Sequence, residues 1–147
     1  MEYSRYRVKS TVKSFRDLEV YQKTILLSDE ITSLLFLNKK TFEKDNDEIK
    51  FTAEKIPKLI AEAYGDRFDS RELAHKKLTE ALTLITDIIT KIDLLREKFT
   101  QDKEAKEALD KLLTKYQAQK RKALNLRRAW DRVFTNAREG SKSYKKS

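Results

Sequence analysis

The chain has no cysteine, one proline, two glycines and a single histidine in 147 residues. Without cysteine there are no disulfides, thiolate metal sites or cysteine nucleophiles. So little glycine and proline leaves no material for hairpins or glycine-rich phosphate loops, and favours long helices joined by few connections. His75 has no cysteine and no glycine-flanked serine to pair with, so the chain reads as a non-enzyme that needs no cofactor. Glu72-Leu73-Ala74-His75 fits one half of a ferritin-like di-metal site, but that site takes two such motifs and there is no second histidine. No apolar run approaches the length of a membrane span, and the N-terminal stretch MEYSRYRVK is polar and mixed in charge. Together these predict a soluble, cytoplasmic protein that does not enter a membrane.

What the sequence does have is lopsided charge. From Lys111 onward there are 12 bases and 2 acids, a net +10, whereas the other 110 residues hold 21 bases and 22 acids, a net −1. A basic segment on an otherwise balanced protein is the footprint expected of a polyanionic partner, most often nucleic acid. The plainer alternative is a solvated, lysine-rich helix end.

Hydrophobic periodicity gives an all-α protein with four helical segments. Residues 1–14 read as a basic N-terminal arm, 15–138 as a helical bundle and 139–147 as a basic flexible tail. The first helix is expected from about Phe15 to Leu37, with Leu18, Tyr21, Ile25, Ile31, Leu34 and Leu35 on its apolar face. The second, about Asp47 to Arg67, carries Pro57, which predicts either a kink at Ile56–Pro57 or a helix that starts at Pro57. Asp69 with Glu72 forms a candidate capping box for the third helix, with Ser70 as the alternative cap. Leu78, Ile85, Ile92 and Phe99 make one seam of that helix, and Ala74, Ala81, Ile88 and Leu95 a second seven-residue stripe. Two stripes suit a helix at the centre of a bundle. Near apolar stripes, Glu62 and Glu80 read as members of structural ion pairs.

Asp102 is placed to cap the fourth helix, which meets no further glycine or proline until Gly140 and so is the longest. On a 3.6-residue wheel Lys120 and Arg127 fall in the arc of Leu109, Leu113, Leu124 and Phe134. Cations there predict that this half of the helix faces water or phosphate and not a dry core. Arg121, Arg128 and Arg132 share another face, beside Trp130, whose plainer role is to anchor the helix. The expected nucleic-acid contacts are therefore Lys120, Arg121, Arg127, Arg128 and Arg132, with Lys111, Lys115 and Lys122 secondary. The basic half offers no continuous apolar face for a membrane surface. An acidic protein surface is the rival partner, which makes the chain an interaction scaffold with no direct nucleic-acid role.

The runs FRDLEVYQK (Phe15 to Lys23), KIPKLIAEA (Lys55 to Ala63) and ALTL (Ala81 to Leu84) resemble the four-helix-bundle proteins first found encoded in intervening sequences of bacterial large-subunit ribosomal RNA genes. The first run nearly completes the family pattern Phe-x-Asp-Leu-x-Val-Tyr-Gln. The second departs from Ser-Ile-Pro-x-Asn-Ile-Ala-Glu-Gly at Leu59 and Ala63. The similarity spans about Phe15 to Tyr116. It implies an up-down-up-down antiparallel bundle that assembles into a ring-shaped pentamer. It also brings in a related basic bundle, the accessory variability determinant of diversity-generating retroelements, and with it a role as accessory factor to a reverse transcriptase.

Overall fold

A computed structural model describes residues 14–37, 46–99 and 102–146, with side chains as far as Val133. It contains four helices: α1 (Glu19–Leu37), α2 (Asn46–Asp66), α3 (Arg71–Lys98) and α4 (Lys103–Lys146). A single 3-10 turn, Phe15–Asp17, precedes α1. Of the arm assigned to residues 1–14, all but Ser14 lies outside the described residues.

Ion pairs fix the order and direction of the helices. Between α2 and α3, Glu48 meets Lys91 at 2.7 Å, Glu80 meets Lys55 at 3.3 Å and Glu62 meets Lys77 at 3.8 Å. Asp66 holds the same Lys77 at 2.6 Å. Between α3 and α4, Arg96 donates to Asp110 at 2.7 Å and Arg127 to Thr79 Oγ1 at 3.0 Å, while His75 Nδ1 lies 3.0 Å from Asp131. Between α1 and α4, Glu30 pairs with Lys115 at 3.0 Å and Glu19 with Lys122. In each case partners climb one helix as they descend the other. The bundle is therefore antiparallel, up-down-up-down, with α1, α2, α3 and α4 following one another around the core. Glu62 and Glu80 take the structural roles expected of them.

The FRDLEVYQ run has a local physical meaning. The Ser14 N–H donates to Asp17 Oδ2 and the Arg16 N–H to Ser14 Oγ, both at 3.2 Å, which closes the turn. Gln22 Nε2 reaches back to the Arg16 carbonyl at 2.8 Å, and the Phe15 and Tyr21 rings pack edge-on with centroids 4.9 Å apart. Leu18 and Val20 enter the core. α2 runs unbroken through a buried Pro57, so the expected start at Pro57 is overturned. The missing donor costs on the order of 3 kcal/mol in a helix interior, and the bundle offsets it by burying Pro57 together with its helix neighbours Ala53, Ile56, Leu59 and Ile60. Both departures from the family pattern, Leu59 and Ala63, are core residues. The third helix is capped by Ser70, whose Oγ accepts the Leu73 N–H at 3.3 Å, and not by the expected Asp69. Asp102 caps α4 as expected, accepting the Ala105 N–H at 3.1 Å.

α4 departs most from its expected packing. Its buried positions are Ala105, Leu109, Leu112, Tyr116, Gln119 and Ala123, with Leu126 and Trp130 packed against the core beyond them. These advance in alternating steps of four and three, two interleaved seven-residue stripes, and α3 shows the same pattern from Ala74 to Phe99. The inner face thus continues past residue 117, contrary to the expectation of a wet second half. The half-buried Leu113 and Leu124 stand at one edge of this stripe, and counting them as its centre shifts the apparent apolar face toward Lys120. In the structure Lys120 is exposed at the rim, and Arg127 is half-buried against Thr79. Among the described residues no helix is long and apolar enough to cross a membrane.

Candidate nucleic-acid interface

The basic residues of α4 fall into three groups according to what flanks them. Lys115 and Lys122 lie on the α1 side and are drawn into pairs with Glu30 and Glu19. The Lys122 hydrogen bond and charge hold the Glu19 carboxyl below the usual glutamate range. On the α3 side, Arg127 is committed to Thr79 and Asp131 to His75. Arg121, Arg128 and Arg132 form the third group. At 100° per residue they share an arc opposite the buried stripe, and all three are exposed. Lys120 and Lys111, also exposed, stand on the flanks of that arc.

Among the described residues none of Lys111, Lys120, Arg121, Arg128 and Arg132 has a side-chain ion pair or hydrogen bond. Six bases at the seams between helices, Lys55, Lys77, Lys91, Arg96, Lys115 and Lys122, are each bonded to a carboxylate, while Lys50, Lys58, Lys76, Lys103 and Lys106 are exposed without a side-chain partner among the described residues. Hydrogen bonding to Asp66 raises the Lys77 ammonium above its usual value, and Asp110 does the same for the Arg96 guanidinium, burial opposing in both cases. From Arg121 to Arg132 the open strip measures about 16 Å at the helical rise of 1.5 Å per residue. Guanidinium groups held on a rigid helix with their donors free suit bidentate phosphate contacts.

Trp130 is half-buried and packs on the core, which gives it the anchoring role. His75 is exposed, and among the described residues there is no cluster of histidine and carboxylate side chains able to hold a metal.

One feature escaped the sequence reading. In the α2–α3 connection the Arg67 guanidinium lies 3.5 Å from the centroid of the Tyr64 ring and 4.1 Å from that of Phe68. Adjacent Arg67 and Phe68 just past a helix end were the only signal in the sequence, and nothing there shows that the two stack.

Fold and charge together define a class: an antiparallel helical bundle with an unpaired basic strip on the outer face of its longest helix. No family model, curated protein or solved structure matches the chain.

Proposed function

We propose that the protein is a non-enzymatic helical bundle that binds nucleic acid, RNA or DNA, through phosphate contacts along the outer face of α4. The supporting observation is the clustering of three exposed arginines, Arg121, Arg128 and Arg132, with Lys120 at their flank, on one outer face without partners among the described residues, while seam bases such as Lys77 and Arg96 meet carboxylates. Lys111 extends the strip, Lys115 and Lys122 border it, and Arg127 supports it from the α3 seam. Assembly into a pentameric ring, which the family resemblance implies, would sum modest contacts into tight, salt-sensitive binding. Such an assembly is suited to serve as a reverse transcriptase accessory factor. Light scattering tests the assembly.

Fluorescence anisotropy with a labelled oligonucleotide over a salt series tests the strip. Replacing Lys120, Arg121, Arg128 and Arg132 by Gln removes up to four phosphate contacts and should flatten the slope of log K against log salt by about 3, at roughly 0.7–0.9 per contact. Helicity and thermal midpoint should hold, because all four side chains are exposed. Unchanged affinity and slope would remove the proposed site. Binding to an acidic polypeptide but not to nucleic acid would favour the scaffold reading instead.

A further inference from the structure

We infer that the α2–α3 connection carries a base-stacking platform, the exposed ring of Phe68 backed by Arg67, which makes the preferred ligand a single strand with unpaired bases. This rests on the phosphate strip of α4 and specifies which nucleic acid that strip takes.

Four observations support it. Phe68 is 76 % exposed and, among the described residues, carries a guanidinium over its ring where the comparably exposed Phe36 and Phe51 do not. Its stack is rooted in the core: Tyr64 is buried, the Arg67 guanidinium lies over the Tyr64 ring, and Phe68 lies over the same guanidinium. The connection is also held in place, because Arg67 Nη1 donates to the Tyr64 carbonyl at 2.5 Å and Asp66 is bonded to Lys77 at 2.6 Å. Arg67 therefore serves as a backing plane and is not a free phosphate clamp. Finally, the platform stands at the same end of the bundle as the open strip. His75, one turn into α3, meets Asp131, so the residues just before α3 lie level with Arg132 and the turn that follows it.

A nucleobase presents a flat π-face of the right size to an exposed ring, and stacking of this kind tolerates any sequence. In a duplex both faces of each base are covered by neighbours, so only a single strand can use the platform while its phosphates follow Arg121, Arg128 and Arg132.

The test uses the full chain, with an oligothymidylate carrying one 2-aminopurine as the single-stranded probe and closed-circular duplex, which has no ends, as the other. Phe68→Ala should weaken single-strand binding about ten-fold, abolish quenching of the 2-aminopurine, and leave the salt slope and duplex affinity within two-fold. Phe68→Trp should restore both single-strand affinity and quenching. Equal single-strand affinity for wild type and Phe68→Ala, or an equal loss on both probes, would overturn the platform. The α4 strip would survive either result, provided that its glutamine variant still loses binding to both probes. Wild-type protein that binds neither probe would overturn strip and platform together.

Discussion

Gln119 offers the sharpest test of how α4 packs. Its side chain is 5 % exposed and its carbonyl oxygen Oε1 has no hydrogen-bond partner among the described residues. The flanking pairs Arg96 with Asp110 and Thr79 with Arg127 set the register of α3 on α4 and place Gln119 level with the fully buried Ile88. A buried acceptor that gives up water without a replacement costs about 1–3 kcal/mol. Methionine has the same unbranched length and nearly the same helix propensity as glutamine. Gln119→Met should therefore stabilise the protein by about 1–3 kcal/mol. Thermal midpoint should rise by about 2–4 °C for each kcal/mol in a chain of this size. Urea denaturation followed by circular dichroism gives the cleanest reading, since a higher midpoint at constant m reports stability alone. A lower midpoint with m unchanged would mean that the amide is satisfied in solution, and the seven-residue inner stripe would then be wrong at its central position.

Tyr116 lies one step down the same stripe, fully buried, with its hydroxyl unpartnered among the described residues. Burial foremost, and the nearby Glu30 charge second, push its phenol well above the usual tyrosine range. Because the folded state holds this proton more tightly than the unfolded chain, the associated stability is complete below about pH 10, the ordinary tyrosine value. It is lost as pH climbs from there toward the folded value. Tyr116→Phe should match or slightly exceed wild type at neutral pH, and above about pH 10 wild type should fall behind the variant by up to roughly 1.4 kcal/mol per pH unit. Parallel alkaline denaturation curves would refute the burial of this hydroxyl. At the start of α3, Ser70→Ala should cost about 1 kcal/mol and Asp69→Ala less than about 0.5 kcal/mol; a reversed order in urea melts would restore Asp69 as the cap.

Helix number, approximate bounds and the inner seams of α3 were legible in the sequence because apolar side chains repeat there without interruption. In α4 the same stripe is carried by Gln119 and Ala123, one polar and one small. A reader counting large apolar residues follows Leu113 and Leu124 instead and arrives at a face centred on Lys120. The caps show a similar limit: Asp69 and Ser70 are adjacent good capping residues, and only the backbone decides which oxygen meets the Leu73 N–H. Pro57 is a further case, since local propensity argues for a break and tertiary burial of Ala53, Ile56 and Ile60 overrides it. Glu62 and Glu80 were readable as ion-pair members, because a carboxylate near an apolar stripe needs a cation within reach. The Arg67–Phe68 platform was not readable at all, since it depends on which way two neighbouring side chains turn at the end of a helix.

The charge asymmetry of the sequence has a geometric counterpart. Glu19, the first residue of α1, is level with Lys122. Below that level α4 runs between two helices, where Lys115 finds Glu30 on α1 and Asp110 finds Arg96 on α3, while Lys111 and Lys120 face outward without a partner among the described residues. Above it α3 meets α4 through Thr79, which accepts from Arg127, and His75, which lies against Asp131. Arg128 and Arg132 lie in that upper stretch and Arg121 just at its edge. Their guanidinium groups meet no carboxylate among the described residues. Exposed pairs of the kind seen lower on the bundle contribute little stability, typically under 1 kcal/mol each, so folding alone does not require bases in the upper stretch. The proposed role therefore draws on charge that the fold does not need, on a rigid helix at the end of the bundle that also carries the Arg67–Phe68 stack.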